Sequence, residues 1–122
     1  MKKTQFMITG KNITYKRGDI VLVPFPFTDL TTAKTRPAVV VSAEEFQKEI
    51  GDFTVAMITS VPHSTSYDYE IKDWQAANLL VPSWLRAKLV TLDPKLVRYQ
   101  PGKLTKADLS EAEKRIRLAL KM

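Results

Sequence analysis

The apolar residues of this chain gather into short runs, each fenced by polar residues, proline or glycine. Ile20-Val21-Leu22-Val23-Pro24-Phe25 is the first, entered through the polar Lys16-Arg17-Gly18-Asp19. An unbroken series of β-branched and aromatic residues predicts a strand buried on both faces. Pro24 and Pro26 withdraw two amide donors, so that strand ends or lies at an edge there. Residues 28–35 are polar and read as a loop, after which Arg36-Pro37 opens a second buried run, Ala38-Val39-Val40-Val41-Ser42. Ala43 to Gly51 is a charged connection with room for a helical turn. A third run, Phe53 to Ser60, is bounded by Pro62. Tyr67 to Lys72 alternates apolar and polar with period two, the pattern of a half-exposed strand. Trp74 to Pro82 has no clear period, and Trp84 to Leu92 has strand composition up to the Asp93-Pro94 break.

The last element is a helix. Thr105 and Asp108 stand three residues apart, close to a capping box, and Leu104 and Leu109 occupy hydrophobic-staple positions. Leu109, Ala112, Ile116, Ala119 and Leu120 then form one apolar stripe. Lys114, Arg115, Arg117 and Lys121 crowd the C-terminal half, where they complement the helix dipole. Five or so short strands followed by one helix predict a mainly β (α+β) domain. The strand spacing suits a small twisted β-barrel with a C-terminal α-helix better than alternating βαβ units.

Length and charge refine this picture. The chain has 122 residues, the size of one domain. Its net charge is +6, and residues 1–18 contribute five bases and no acid. Residues 19–122 are nearly neutral, and the division expected is a basic N-terminal arm over 1–15 and a single domain over 16–122. A positive arm raises the local attraction for a polyanion. The absence of cysteine excludes thiol catalysis and a disulfide scaffold, and a single histidine, His63, argues against structural zinc. No cofactor or metal is expected. No apolar run approaches the roughly 18 residues that span a bilayer, and the N-terminus is a poor signal peptide, so a cytoplasmic protein with no membrane contact is expected.

Three segments, in order, resemble the MazF/PemK ribonuclease toxins: Arg17 to Asp29, Thr35-Arg36-Pro37-Ala38-Val39-Val40-Val41-Ser42, and Ala56-Met57-Ile58-Thr59-Ser60. The likeness spans roughly residues 16–120, fainter through Pro82 to Asp93 and the final helix. The resemblance implies an SH3-like (PemK-like) barrel, a homodimer, and sequence-specific, metal-independent cleavage of single-stranded RNA. It also implies an antitoxin that covers the RNA groove.

Metal-free RNA cleavage uses the substrate's own 2′-hydroxyl as nucleophile and leaves a 2′,3′-cyclic phosphate and a 5′-hydroxyl, which separates RNA from DNA. Arg36 is the first catalytic candidate. Its guanidinium keeps its charge and matches phosphate oxygens with a planar fork, and Pro37 stiffens the chain behind it. Thr59, the family's active-site threonine by resemblance, is the second, with Ser60 as an assisting hydroxyl. The general base stays open. Several family members carry a glutamate five residues before the matching arginine, where this chain has Thr31. Asp29 is the nearest carboxylate and His63 the only imidazole. Lys34, Arg86 and Lys88 are candidate phosphate contacts, Thr31 lies in the same groove region, and Phe27 and Trp84 are candidate stacking platforms. Three other readings compete: a gyrase-poisoning toxin of the related fold, a non-catalytic small-barrel binding module, and an inactive family member. The first acts through a tryptophan-containing C-terminus, whereas this chain ends Leu118-Ala119-Leu120-Lys121-Met122.

Overall fold

A computed structural model describes residues 13–25 and 34–122. Phe27, Asp29, Thr31 and most of the expected basic arm lie outside the described residues.

The element order is β1 (Asp19–Phe25), β2 (Lys34–Val40), α1 (Glu44–Ile50), β3 (Phe53–Thr59), β4 (Asp68–Glu70), β5 (Trp84–Leu92), a 3-10 turn (Pro94–Leu96), β6 (Tyr99–Lys103) and α2 (Lys106–Leu120). The strands form one sheet in the order β4-β5-β3-β2-β1-β6. Every neighbouring pair is antiparallel. Its outermost strands, β4 and β6, are not paired with each other, so the sheet curls without closing among the described residues.

The unbroken runs have the predicted cause: the central strands are covered on both faces. Val21, Val23 and Phe25 of β1, Ala38 and Val40 of β2, and Phe53, Val55 and Met57 of β3 enter one apolar cluster, with Tyr15 and Leu92 packed against it. The alternate residues Ile20, Val39, Ala56 and Ile58 enter a second cluster with Tyr69, Ile71, Leu85 and Ala112. Helix α2 covers this second face through Leu109, Ala112 and Ile116. Thr105 caps α2 by accepting a hydrogen bond from the Asp108 N–H at 3.3 Å, and Leu104 and Leu109 meet in the same cluster, as the staple requires. No helix among the described residues is long and apolar enough to cross a membrane.

The structure departs from the sequence pattern in four places. The charged connection after Ser42 is a two-turn helix, α1, whose Gln47 is buried. The Gln47 amide accepts from the Tyr15 N–H at 2.9 Å and donates to the Tyr15 carbonyl at 2.7 Å, holding the entry to β1 as a partner strand would. The alternating stretch 67–72 supplies only three strand residues. The segment 72–78 winds into turns. And a sixth strand, β6, appears in Tyr-Gln-Pro-Gly-Lys, which has turn composition. An edge strand tolerates Pro101 because one side of its ladder is open. Pro24 obeys the same rule, since β1 pairs with β6 only as far as Leu22.

Gly102 joins β6 to the 72–78 turns. A Cβ built there would lie 2.5 Å from the Ala77 carbonyl oxygen, a distance only glycine tolerates, and the Asn78 amide donates to the Pro101 carbonyl at 2.9 Å. Gly102→Ala is expected to destabilise the domain by about 1–3 kcal/mol, the usual cost of forcing backbone apart. Urea unfolding of the variant measures this loss.

Candidate active site

A cleft of about 440 Å³ opens at the end of the sheet where β2 begins and β3 ends. Its floor is apolar, made by Leu22, Pro37 and Ile58, and the segment 78–81, Ser83, Tyr99 and Pro101 form its far wall. Arg36, Thr59 and Ser60 border it. Arg36 and Thr59, the two residues ranked first from sequence, thus both border one concave surface.

Local chain chemistry explains the opening. Pairing between β2 and β3 covers Ala38↔Met57, Val39↔Ala56 and Val40↔Val55. Pro37, the next residue, has no N–H to donate, and the ladder is not continued past it. Two positions further along the same register, Arg36 and Thr59 face one another across the widening gap. Arg36 is held on its other side by pairing with Val23 of β1.

Thr59 is 6% exposed. Its hydroxyl oxygen accepts a hydrogen bond from the Val61 N–H at 3.1 Å, which tightens the turn after β3. That bond uses a lone pair and leaves the hydroxyl proton to be donated. Ser60 is exposed beside it.

The remaining candidates scatter. Trp84, first residue of β5, stands directly opposite Thr59 and is half-buried. Lys34 is exposed at the start of β2, opposite Phe25, and Lys88 is exposed on β5. His63 is half-buried, does not line the cleft, and makes no hydrogen bond among the described residues. Ser83 and Tyr99 were not singled out from sequence. Ser83 donates to the Val81 carbonyl at 2.8 Å, shaping the far wall, and Tyr99 is 61% exposed at the rim. Alternation and burial give no sign of either, because the 72–83 turns and β6 carry no period to reveal which side chains meet the cleft.

Arg86 is engaged elsewhere. Its Nε donates to the Asp68 carboxylate at 2.8 Å, with the two side chains 22% and 1% exposed. Asp68 also accepts from the Thr65 hydroxyl at 2.5 Å and the Thr65 N–H at 3.0 Å, tying down the loop before β4. Burial pushes the Asp68 carboxyl up, but the hydrogen bonds from Thr65 and Arg86 outweigh it and hold the group below its ordinary value. A depressed folded value means a stabilising contribution that is complete above the unfolded carboxylate value, about 3.9, and fades as the pH falls below it. Arg86→Ala is expected to lower stability at pH 7 by about 3 kcal/mol, because a buried carboxylate loses its cation. The deficit relative to wild type should shrink as the pH drops below 4, where protonation removes the charge. Urea titrations at pH 7 and pH 3 measure both arms.

The fold has close relatives among solved structures. A mycobacterial endoribonuclease in complex with its cognate antitoxin superposes with a TM-score of 0.75 at 16% identity, covering 89% of this chain and 97% of that one. MazF from Deinococcus radiodurans gives 0.71 at 21% identity over 90% and 99% of the two chains. A MazE–MazF structure from the same organism gives 0.69 at 19% identity over 88% and 97%. No protein of curated function matches the chain. Residues 16–120 match the family of PemK-like, MazF-like toxins of type II toxin-antitoxin systems, and with nearly the whole domain inside that match the chain belongs to this toxin family.

Proposed function

We propose that this chain is the toxin of a type II toxin-antitoxin pair, a sequence-specific endoribonuclease that cuts single-stranded RNA and so inhibits translation and growth in the cytoplasm. The observation that carries the reading is the meeting of Arg36 and Thr59 at the mouth of one cleft. A phosphodiester held between these two side chains receives the Arg36 guanidinium and the Thr59 hydroxyl proton as it gains charge during 2′-hydroxyl attack. Donors fixed before the reaction stabilise that charge without reorganising. Ser60 adds a second hydroxyl, and the exposed Lys34 and Lys88 are the further phosphate contacts of this reading. The proton acceptor for the 2′-hydroxyl is sought among Asp29 and His63. Phe27 and Thr31 are further RNA contacts in this reading.

An antitoxin and a second copy of the chain are the protein partners in this reading. Leu80 at 93% exposure, with Val81 and Tyr99, lines the cleft with apolar surface of the kind that partner chains cover. The solved structures of an endoribonuclease with its cognate antitoxin and of MazE–MazF, which share this fold, support the antitoxin.

The test is incubation of purified protein with mixed single-stranded RNA in EDTA. Fragments ending in 2′,3′-cyclic phosphate and 5′-hydroxyl are expected, with DNA of the same sequence left whole. RNA that stays intact with well-folded protein overturns the nuclease reading and leaves a binding module.

A further inference from the structure

Four residues lie side by side on one face at the open end of the sheet. Thr59 of β3 is directly opposite Trp84 of β5, and Trp84 is directly opposite Glu70 of β4. Residues so paired share a face with their Cβ atoms about 4.5–5.5 Å apart. Arg36 continues the row on the far side of Thr59. Glu70 is exposed and makes no hydrogen bond or ion pair among the described residues. Asp68, its neighbour on the same face and strand, is by contrast buried and bound by Thr65 and Arg86. One carboxylate thus serves the fold by engaging the Arg86 Nε, and the other is left exposed.

We propose that Trp84 and Glu70 form a base-reading subsite that selects guanine next to the scissile phosphate. The inference rests on the reading of this chain as an RNA-cutting toxin. The order along the row is the order within a nucleotide: phosphate at Arg36 and Thr59, base stacked on the Trp84 indole, and Watson–Crick edge at Glu70. Stacking on tryptophan holds any base, since every base has a π-face. The carboxylate discriminates. An ionised glutamate only accepts hydrogen bonds. Guanine alone presents two parallel donors, N1–H and the N2 amino group, that match both carboxylate oxygens in a charge-assisted pair. Adenine and cytosine each offer one amino donor beside a ring-nitrogen acceptor that faces the carboxylate with like polarity. Uracil offers one N–H flanked by two carbonyls. A negative side chain in a groove built for a polyanion weakens binding of any RNA that cannot bond to it. That penalty is itself a source of selectivity.

The experiment uses single-stranded RNAs with randomised flanks around one fixed base, guanine, inosine or adenine. The 2′-hydroxyls are methylated so that binding is read without cleavage. Inosine keeps N1–H and lacks only the N2 amino group. Wild-type protein is expected to bind the guanine pool about tenfold to a hundredfold more tightly than the inosine or adenine pool. Glu70→Gln, an exposed and nearly isosteric change, should bring the guanine and inosine pools together. Equal binding of the three pools by wild type, or a guanine preference that survives in Glu70→Gln, overturns the subsite. Unmethylated pools separate the two claims. Cleavage without guanine preference overturns the subsite and leaves the nuclease standing, whereas guanine-selective binding without cleavage does the reverse.

Discussion

Arg36→Ala is expected to lower kcat for RNA cleavage by about 10²–10³, with KM changed far less. Removing one preorganised donor to a developing oxyanion typically costs about 2.7–4 kcal/mol of barrier, and the Arg36 contact tightens as the phosphorus gains its extra negative charge. A contact made more strongly in the transition state than in the ground state appears in kcat. Arg36→Lys is expected to restore little. An ammonium replaces the charge but not the planar, two-pronged geometry that fits two phosphate oxygens together. Thr59→Val should also impair turnover while keeping the shape of a residue that is almost fully buried. It removes the hydroxyl proton and the oxygen that anchors the Val61 N–H. Single-turnover cleavage of a defined RNA, with a melting curve for each variant, separates loss of chemistry from loss of fold. Undiminished single-turnover rates for a folded Arg36→Ala protein would remove the guanidinium from the reaction.

The parts of this site that were legible in the sequence are those coded locally. Two unbroken apolar runs announce strands buried on both faces, and their ends must carry polar residues where the sheet stops. Arg36 and Thr59 stand at two such ends, and the proline after Arg36 marks where the ladder opens. The resemblance to the MazF/PemK toxins identified the same two residues, and the match over residues 16–120 supports that family placement. What escaped was set by distant contacts. The far wall of the cleft depends on turns that take their shape by packing against Gly102, some 25 residues downstream of Ala77. Arg86 looked like a phosphate contact because charge is visible in sequence, whereas its partner, 18 residues away on a neighbouring strand, is not. Gln47 in a charged connection gave no hint that its amide would act as a strand edge for residue 15, 32 positions earlier. Asp108 read as part of a helix cap, and it is one. Its carboxylate has a larger role.

Asp108→Ala is expected to cost about 4 kcal/mol of stability, because it leaves several buried donors without their acceptor. The Asp108 residue is 1% exposed, in the first turn of α2. One carboxylate oxygen accepts from the Tyr69 hydroxyl at 2.5 Å and the Lys72 N–H at 3.2 Å. The other accepts from the Asp73 N–H at 2.9 Å and the Thr105 hydroxyl at 3.3 Å. This side chain therefore binds the start of α2 to β4 and to the turn that follows it. Alanine leaves a phenol and two backbone N–H groups without their acceptor, each costing about 1–3 kcal/mol where water cannot replace it. Burial, and then the bond to Asp108, push the Tyr69 phenol above its ordinary value, so it is a protonated donor at neutral pH. Tyr69→Phe removes one donor and leaves the carboxylate its other three, so it should cost less than half as much. Asp108→Asn falls between, since its amide keeps one acceptor and aims N–H at an existing N–H. In thermal melts Asp108→Ala should lower Tm by about 10–20 °C for a domain of this size, with the urea m-value unchanged. A shift of only a degree or two would mean that α2 is held by its apolar stripe alone and that the carboxylate merely caps the helix.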